Sequence, residues 1–494
     1  MGKPEDLQPA IDKATLVARL LDILPPASVL HQVEDTRPYE CDGLSAYREQ
    51  PMIVVLPATE DEVAAVLRLC HAHRVPVVAR GAGTGLSGGA LPHRNGVVLS
   101  LAKLMRILAV DPLARTARVQ PGVRNLAISE AVAKHDLYYA PDPSSQIACT
   151  IGGNVAENSG GVHCLKYGLT VHNILRLRVL TYAGELLDIG SDALDAPGYD
   201  LLAVMTGSEG LLGVVTEVTV KLLPKPQVAQ CVLAAFDDVA SAGRAVANVI
   251  AAGIIPAGLE MMDRITTNAV EDFVHAGYPL AAEAILLCES DGTAEEVSDE
   301  ITSIREVMRA SGASETRVSR DETERLRFWA GRKGAFPAAG RISPDYYCID
   351  GTIPRKALAR VLDAIAVWSK EYGLACMNVF HAGDGNLHPL ILFDANRAGE
   401  LERTEAYAGR ILELCIEVGG TITGEHGVGV EKINHMCVQF APAELEAFRK
   451  VKHAFDPDGL LNPGKAVPTL HRCAEFGRMH VKRGAEKFPD LPRF

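Results

Sequence analysis

Short apolar runs alternate with amphipathic stretches along most of the chain, a pattern that predicts a mixed protein of helices and strands. Residues 52–57 predict a strand. Residues 59–62 predict a capping box, in which Thr59 caps a helix and the Glu62 side chain reaches back to the cap. Further strands are predicted at residues 75–79, 97–101, 117–123 and 217–222. Helices are predicted over residues 11–24 and 63–70, and from a cap at Asn125 to Lys134.

The pattern changes after a Pro-Lys-Pro segment at residues 224–226, which is typical of a linker. Beyond it, strands are predicted at residues 231–236, 257–261, 282–289 and 345–353, with helices at 238–252, 293–312 and 354–372. This alternation over roughly 240 residues predicts a separate α+β domain in which helices cover one side of a sheet.

Residues 80–90 contain five glycines in eleven positions and no acidic side chain. Glycine lacks a Cβ and accepts positive φ, so such a stretch suits a loop whose N–H groups approach a phosphate. Gly83, Gly85 and Gly88 spell G-x-G-x-x-G, but a Pro and an Asn-Gly turn follow, and then a strand. A Rossmann motif needs a helix at this point, and no Gly-Lys-Ser/Thr is present for a P-loop. The alternative is an ordinary glycine-rich turn, which rarely needs five glycines.

Two later stretches repeat this composition of small residues. Residues 150–161 contain two Gly-Gly pairs and follow the segment 141–145, and residues 206–216 contain three glycines. Backbone of this kind is suited to lie against a flat or charged ligand. We therefore expect all three glycine-rich regions to line one binding site.

A different constellation occupies the second half of the chain. His381 and His388 flank a Gly-Asp-Gly turn, and Glu425 and His426 lie in a glycine-rich segment about forty residues later. Three histidines and a glutamate can form a divalent-metal site with a base beside it, although a lone histidine is usually structural. Arg332 could bind a substrate carboxylate through two nitrogens, and the alternative is a solvated surface arginine.

Composition limits the function classes. The 494 residues are 48% apolar and 22% charged, and the net charge of −13 argues against a nucleic-acid partner. No segment approaches the ~20 apolar residues of a membrane helix, and the first residues show no secretory signal. The eleven cysteines form no C-x-x-C pair. We expect reduced, mostly buried thiols in a reducing compartment and no iron–sulfur cluster in this chain.

Taken together, these motifs resemble the flavoprotein family of vanillyl-alcohol oxidase and p-cresol methylhydroxylase. The resemblance covers residues 52–465. Within the family the chain is similar to the D-2-hydroxy-acid dehydrogenase branch, and there to the FAD-linked subunits of bacterial glycolate oxidases. It implies an α+β protein with a helical lead-in (1–50), a two-lobed PCMH-type FAD-binding domain (51–226), a ferredoxin-like α+β cap or substrate domain (227–466) and a C-terminal tail (467–494).

The resemblance also implies which residues contact FAD. The first loop supplies those that wrap the pyrophosphate, and the two later stretches line the remainder of the cofactor. The implied set is Arg80, Gly81, Ala82, Gly83, Thr84, Gly85, Leu86, Ser87, Pro141, Asp142, Ser145, Gly152, Gly153, Asn158, Gly160, Val162, Glu209, Gly210, Gly213, Val215 and Asn462. Some relatives bond FAD covalently through a histidine near the first loop. That loop carries Thr84 here and neither histidine nor cysteine, so we expect non-covalent FAD.

By the same resemblance, His381, His388 and Glu425 match the ligands of a divalent metal, zinc or else Mn or Fe. His426 matches the catalytic base and Arg332 the arginine that binds the substrate carboxylate. A metal would lower the pKa of the substrate hydroxyl while His426 removes its proton and hydride passes to flavin.

The expected size of the substrate follows from positions at which this chain differs from some members of the family. Relatives that oxidise D-2-hydroxyglutarate carry polar groups for a second carboxylate, where this chain offers Phe336, Cys348 and Leu390. An apolar wall would leave a second carboxylate unpaired, so glycolate and D-lactate are the expected substrates.

The resemblance further implies partners. Electrons would pass through an iron–sulfur subunit, alongside a second FAD-type subunit, toward a membrane quinone. We therefore expect a cytoplasmic protein held at the inner membrane face through these partners. Three alternatives remain open at this point: a stand-alone D-lactate dehydrogenase, a zinc-dependent hydrolase that uses the same histidines, and a non-catalytic FAD-binding subunit.

Overall fold

The computed structural model describes residues 7–193, 198–469 and Cys473, and the tail predicted from residue 467 lies outside these residues apart from 467–469 and Cys473. The described residues form four sheets: a four-stranded, a five-stranded and a two-stranded sheet before residue 227, and a seven-stranded sheet after it. Among the described residues, no helix is both long and apolar enough to cross a membrane.

The first lobe is a four-stranded sheet with strand order β1-β2-β4-β3. Its elements are α1 (Lys13–Leu21), β1 (Val29–Leu30), α2 (Val33–Thr36), β2 (Ile53–Val55), α3 (Glu60–Ala72), β3 (Val77–Arg80) and β4 (Val97–Ser100). β2, β4 and β3 are parallel, and α3 buries Val63, Val66, Leu67 and Cys70 against them, as the helical spacing predicted. The predicted lead-in helix is α1, which buries Leu16 and Leu20 in this same core.

The start of α3 confirms the predicted cap with one shift. Thr59 Oγ1 accepts a hydrogen bond from Glu62 N at 3.2 Å, while the Glu62 carboxylate accepts from Ala58 N at 2.6 Å. The cap predicted at Asn125 is wrong, because Arg124 holds the N-cap position of the next helix. The Asn125 side chain instead turns inward and donates to Pro141 O and Asn154 Oδ1, both at 3.0 Å, because a buried amide needs partners.

The second lobe is a five-stranded antiparallel sheet of order β5-β6-β10-β8-β9, beside a two-stranded pairing of β11 with β7. Its elements are β5 (Ile107–Asp111), β6 (Thr116–Val119), α4 (Asn125–Val132), β7 (Leu137–Tyr138), α5 (Ile151–Glu157), α6 (Cys164–Tyr167), β8 (Ile174–Leu180), β9 (Leu186–Gly190), α7 (Leu201–Met205), β10 (Val214–Lys221) and β11 (Leu223–Pro224).

The seven-stranded sheet is antiparallel, with its strands in the order β15-β12-β14-β13-β17-β18-β16. Its elements are β12 (Val228–Phe236), α8 (Val239–Ala251), β13 (Gly258–Asp263), α9 (Arg264–Val274), β14 (Ala284–Gly292), α10 (Ala294–Ala310), β15 (Glu315–Val318), α11 (Glu322–Lys333), α12 (Ala335–Ile342), β16 (Asp345–Cys348), α13 (Leu358–Tyr372), β17 (Cys376–Phe380), β18 (Pro389–Phe393), α14 (Glu400–Glu417), α15 (Ile433–Gln439) and α16 (Pro442–Phe455). We call this unit the cap.

Helices cover both faces of the cap sheet, so the prediction of a one-sided cover is wrong. Val232, Ala234 and Phe236 of β12 pack into a core with α8, α10, α13 and α14. The alternate residues Cys231, Leu233 and Ala235 pack into a second core with α9, α11 and α12. A strand that is buried on both faces is apolar at every position, and the run 231–236 contains no polar residue.

The chain returns to the first lobe after the cap. Val77 N donates to Leu460 O at 2.9 Å and Asn462 N donates to Val77 O at 2.7 Å, so residues 460–462 run beside β3. Leu460 and Leu461 are buried in the first lobe's core. The segment 460–465 thus belongs in space to the first lobe, although it follows the cap in sequence.

The cysteine prediction is correct in part. Cys437 and Cys473 form a disulfide, while the other nine cysteines are free thiols, and all of these except Cys41 are buried. The pair is separated by 36 residues, and no spacing rule in a sequence reveals such a pairing.

Candidate active site

The first glycine-rich loop begins where β3 ends, at Arg80, and no helix follows before β4. This confirms the argument against a Rossmann motif. Gly83 and Gly88 have φ of 72° and 74°, values that a side chain would disfavour. The Arg80 guanidinium folds back against the loop, where Nη1 donates to Cys41 O at 2.7 Å. A Cβ on Gly83 would clash with the Arg80 guanidinium, so a side chain there would require Arg80 to move.

The second glycine-rich region packs directly on the first. α5 begins after Thr150, and a Cβ on Gly81 would lie 2.4 Å from Thr150 Oγ1. Thr150 Oγ1 and Ser87 Oγ are buried without a hydrogen-bond partner among the described residues. Buried hydroxyls are normally satisfied, so an unpaired one at the wall of a cavity indicates a polar ligand.

One cavity of about 660 Å³ connects the three glycine-rich regions with the cap. Of the residues predicted from sequence, its walls include Arg80, Gly81, Ala82, Gly83, Thr84, Gly85, Leu86, Ser145, Gly152, Gly153, Glu209, Gly210, Gly213, Val215, Arg332, His388, Glu425 and His426. Thr150, Asn154 and Glu157 also line it and lie in the predicted region 150–161, whereas sequence reasoning missed Asp42, Lys333 and Pro337. The cavity therefore joins the predicted cofactor region to the predicted catalytic cluster.

The remaining residues of the predicted FAD set are not among those that line this cavity. Ser87 O accepts from Val430 N and Glu431 N, Pro141 O accepts from Asn125, and the Asp142 carboxylate pairs with His163 at 2.9 Å. Asn158 has φ of 53° at the end of α5 and its Oδ1 accepts from Val171 N. Val162 packs in the cap core, and Asn462 Nδ2 donates to Gly89 O and Glu209 O. Gly160 and His381 line a neighbouring cavity of about 190 Å³, which also reaches Glu425.

Glu209 lines the cavity and also connects the third glycine-rich region to the cap. The residue has φ of 52° and lines the cavity, but its carboxylate is directed at the cap. Oε1 accepts from Val428 N and Oε2 from Gly429 N, both at 2.7 Å. The third glycine-rich region thus holds the segment that follows Glu425 and His426.

The two histidine-bearing segments meet at the ends of cap strands. His381 follows β17 and His388 precedes β18, and both side chains are buried. Glu425 Oε1 lies 2.9 Å from His388 Nε2 and 3.3 Å from His381 Nε2. One ligand atom from each of the three residues lies within 4.8 Å of the others. The predicted ligand set is therefore brought together in space.

Each of these imidazoles has an acceptor at its other nitrogen. His381 Nδ1 lies 2.7 Å from Glu260 Oε1, and His388 Nδ1 lies 3.3 Å from Ile349 O. Acceptors at Nδ1 favour the tautomer that leaves the Nε2 lone pair available, which is the usual arrangement around metal-binding histidines. This donor set of two imidazole nitrogens and one carboxylate oxygen fits a divalent cation such as zinc.

Asp350 fixes the loop that carries Glu425 and His426, and sequence reasoning missed it. Its carboxylate accepts from Gly424 N, Glu425 N and His426 N at 2.9–3.1 Å. Burial alone would raise the pKa of Asp350, but its interactions with His426 and Lys432 hold it at about 2. The sequence sign was an Asp-Gly pair within the predicted strand 345–353, which the structure ends at Cys348, two residues before Asp350.

Arg332 is 1% exposed, so the alternative of a solvated surface arginine is wrong. It lies on α11 and lines the cavity. Nε donates to Glu260 Oε2 at 2.7 Å. That hydrogen bond uses Nε and not the two terminal nitrogens, which are the part of the guanidinium that can bind a carboxylate through two bonds.

His426 stacks on His388, with ring centroids 4.9 Å apart and planes 12° apart. Its Nε2 lies 3.9 Å from Glu425 Oε1, while Nδ1 is buried. Burial lowers the pKa of His426 to about 4, against the opposing pull of Asp350. A neutral imidazole on the cavity wall can accept a proton.

The predicted apolar wall is present in part. Phe336 lines the cavity and meets the ring of Tyr346 edge-on, with centroids 5.8 Å apart. Cys348 and Leu390 face each other across β16 and β18 in the cap core, and Cys348 Sγ lies within 4.8 Å of a ring nitrogen of His388 and of His426.

Comparison with known proteins decides the family. Residues 51–190 match the family described as "FAD binding domain", and residues 225–466 match "FAD linked oxidases, C-terminal domain". The glycolate oxidase subunit GlcD of Escherichia coli K12 is 64% identical over 98% of this chain and 97% of its own length. The chain belongs to the FAD-linked oxidases. It is an FAD-dependent oxidoreductase.

Two further relatives of this FAD-linked oxidase carry names that state different activities. The GlcD subunit of Bacillus subtilis is 40% identical over 86% of this chain and 91% of its own, and a D-lactate dehydrogenase of Anaerostipes hadrus is 32% identical over 90% and 95%. Among solved structures, substrate-bound p-cresol methylhydroxylase superposes with a TM-score of 0.76 at 17% identity, covering 93% of this chain and 97% of that one. The predicted PCMH-type fold is confirmed.

The cavity of this FAD-linked oxidase fits its cofactor. Cβ atoms added to Gly85, Gly153 or Gly210 would meet no protein atom closer than 3.6 Å, so at these glycines the protein leaves space for a ligand. Thr150 Oγ1 adds an unpaired hydroxyl at the same wall. A flat cofactor with phosphates needs this combination of close backbone approach and polar groups.

Proposed function

We propose that this FAD-linked oxidase oxidises glycolate to glyoxylate and D-lactate to pyruvate. The observation that carries the proposal is the single cavity whose walls include the three glycine-rich regions and also Arg332, His388, Glu425 and His426. The named activities of the relatives, glycolate oxidase and D-lactate dehydrogenase, support this substrate class. The apolar Phe336 on the cavity wall favours substrates without a second carboxylate.

In the proposed mechanism Arg332 binds the substrate carboxylate through its two terminal nitrogens, while Glu260 holds its Nε. His426, neutral at its lowered pKa, accepts the proton of the 2-hydroxyl at Nε2. Non-covalent FAD, when bound along the glycine-rich loops, supplies the acceptor for the hydride from C2. A divalent cation, zinc or else Mn or Fe, held by His381, His388 and Glu425, would polarise the hydroxyl. The buried walls exclude water from the reacting groups.

The electron route is part of the same proposal. Among the described residues no three cysteines come together, so an iron–sulfur cluster would have to belong to a partner. We propose an iron–sulfur subunit, a second FAD-type subunit and a membrane quinone, with the chain held at the inner membrane face by its partners. Co-purification with an iron–sulfur protein would support this route. Direct reduction of a quinone by the isolated chain at the rate of flavin reduction would favour a stand-alone D-lactate dehydrogenase instead.

The other two alternatives are wrong. Membership of the FAD-linked oxidases makes the chain an FAD-dependent oxidoreductase, which excludes a zinc-dependent hydrolase and a non-catalytic FAD-binding subunit.

The first test is an anaerobic absorbance spectrum of the purified FAD-bound chain with glycolate, D-lactate or L-lactate. We expect the first two acids to bleach the flavin band near ~450 nm, because Arg332 and His426 face one cavity that includes the flavin site. L-Lactate is the control for stereochemistry, since it has the same size and charge. If neither glycolate nor D-lactate bleaches FAD that is bound, the substrate assignment is wrong.

The metal and base have separate tests. Dialysis against a chelator should remove the cation and abolish flavin reduction, and zinc, Mn or Fe added back one at a time should identify the ion. His426→Asn should bind FAD and metal normally but reduce flavin at least about 10²-fold more slowly, because it lacks a base. Full activity of a chain shown by elemental analysis to be metal-free would refute the metal site.

A further inference from the structure

One carboxylate connects the two halves of the proposed catalytic site. Glu260 lies in the middle of β13 and is 1% exposed. Its Oε1 lies 2.7 Å from His381 Nδ1, and its Oε2 accepts from Arg332 Nε at 2.7 Å. A buried charge is costly unless it is fully paired, so a glutamate at this position needs both partners.

Each contact constrains the chemistry of its partner. An ionised carboxylate only accepts hydrogen bonds, so His381 donates from Nδ1, and the neutral imidazole then carries its lone pair on Nε2, the nitrogen that lies nearest Glu425. The bond to Arg332 uses Nε, the one guanidinium nitrogen that does not reach the end of the side chain. This bond therefore orients the two terminal nitrogens of Arg332 together, because the guanidinium is planar.

The Glu260 carboxylate fixes the separation of His381 and Arg332 as well as the orientation of each side chain. The proposed metal ligand and the proposed carboxylate-binding group contact the same side chain, on opposite oxygens of one rigid planar group. A 2-hydroxy acid carries its hydroxyl and carboxylate on adjacent carbons. A single bridging carboxylate on a buried strand can hold the two receiving groups in a fixed relation to such a substrate.

We propose that Glu260 is a positioning residue that matches the ligand face of His381 to the terminal nitrogens of Arg332, so that the site receives the adjacent hydroxyl and carboxylate of a small 2-hydroxy acid. The inference rests on the proposed function. It predicts that replacing the Glu260 carboxylate weakens both the retention of the cation and the binding of the substrate carboxylate.

The test is Glu260→Gln, with Glu283→Gln as the matched control. Glutamine keeps the shape but has one acceptor oxygen for two donors. Glu283 lies in the same domain and pairs with Arg264, but its side chain is 41% exposed. Retained FAD and an unchanged circular dichroism spectrum would show that each variant is folded.

We expect Glu260→Gln to release its cation to a chelator at least about tenfold more readily than wild type, the usual cost of losing a partner behind a metal ligand. We also expect KM for D-lactate to rise at least about tenfold, with a smaller change in kcat, because Arg332 loses its orientation. Glu283→Gln should match wild type in both measurements. A folded Glu260→Gln that keeps cation retention and KM within twofold of wild type overturns the inference.

Glu260→Asp is the second variant and keeps the proposal testable if Glu260→Gln does not fold. It retains the charge but is one methylene shorter, so it cannot hold both partners at 2.7 Å, and we expect an intermediate loss in both measurements. Values equal to wild type would overturn the inference. If wild type is reduced by neither acid, the proposed function fails, and cation retention alone still decides the role of Glu260. If wild type holds no cation, the change in KM decides it.

Discussion

Replacing Glu209 with glutamine is a test of how the two domains build one site. The carboxylate projects from the third glycine-rich region and accepts from Val428 N and Gly429 N, both at 2.7 Å. These two residues directly follow Gly427, in the loop that presents Glu425 and His426. The side chain is buried, so water cannot replace a lost acceptor. The substitution keeps the size of residue 209 and changes only its acceptors.

The magnitude follows from the two bonds. A hydrogen bond to a charged group contributes about 1.5–3 kcal/mol, and glutamine keeps one acceptor while turning an NH₂ group toward the other N–H. We therefore expect the docked loop to lose about 2–4 kcal/mol relative to an undocked one. At about 1.4 kcal/mol per factor of ten, the ratio of docked to undocked loop falls roughly 30- to 700-fold.

The assay is stopped-flow flavin reduction by D-lactate under anaerobic conditions. Glu209→Gln should bind FAD but reduce it at least about tenfold more slowly, because His426 and Glu425 spend less time in place. Glu130→Gln, whose side chain is 56% exposed on α4, is the control and should match wild type. If Glu209→Gln binds FAD and reduces it within twofold of the wild-type rate, this account of the loop is wrong.

Three further outcomes are expected. Gly153→Leu should weaken FAD binding at least about tenfold in a flavin-fluorescence titration, because its side chain would fill the cavity, whereas Gly340→Leu, at a glycine with no atom within 4 Å, should not. Neighbouring carboxylates outweigh burial and raise the pKa of His163 to about 10, so its stabilising contribution, complete below about pH 6.5, should be lost as pH rises through 10. The inactivation temperature of His163→Gln should therefore fall less than that of wild type between about pH 7 and 10. Phe336→Arg should raise kcat/KM for D-2-hydroxyglutarate and Phe336→Leu should not, and equal values would refute the apolar wall.

Local patterns predicted the parts of the site that local structure creates. The loop after β3 could be predicted because five glycines in eleven residues leave few other uses for the chain. His381, His388 and Glu425 could be predicted as a group because each lies in a glycine-rich segment at the end of an element. The two-sided cover of the cap sheet was also present in the sequence, as the uninterrupted apolar run 231–236.

Other features depend on contacts between distant segments. Glu260 interrupts an apolar strand, which is a visible sign, but its partners lie 72 and 121 residues away. The resemblance assigned Asp142, Asn158 and Asn462 to the cofactor, while the structure gives the side chain of each a protein partner. Sequence alone could identify these polar groups but not which of them face the cavity.

The contact between the glycine loops and the ligand loop explains why glycines recur on both sides. A Cβ on Gly429 would lie 2.0 Å from Ser87 O, and one on Gly427 would lie 2.1 Å from Glu157 Oε2. Val430 N also donates to Ser87 O at 3.0 Å. The segment that follows Glu425 and His426 therefore contacts the backbone of the first glycine-rich loop at Ser87 and the carboxylates of Glu157 and Glu209. A shift of Glu425 and His426 relative to the first glycine-rich loop would therefore break these contacts between the two domains.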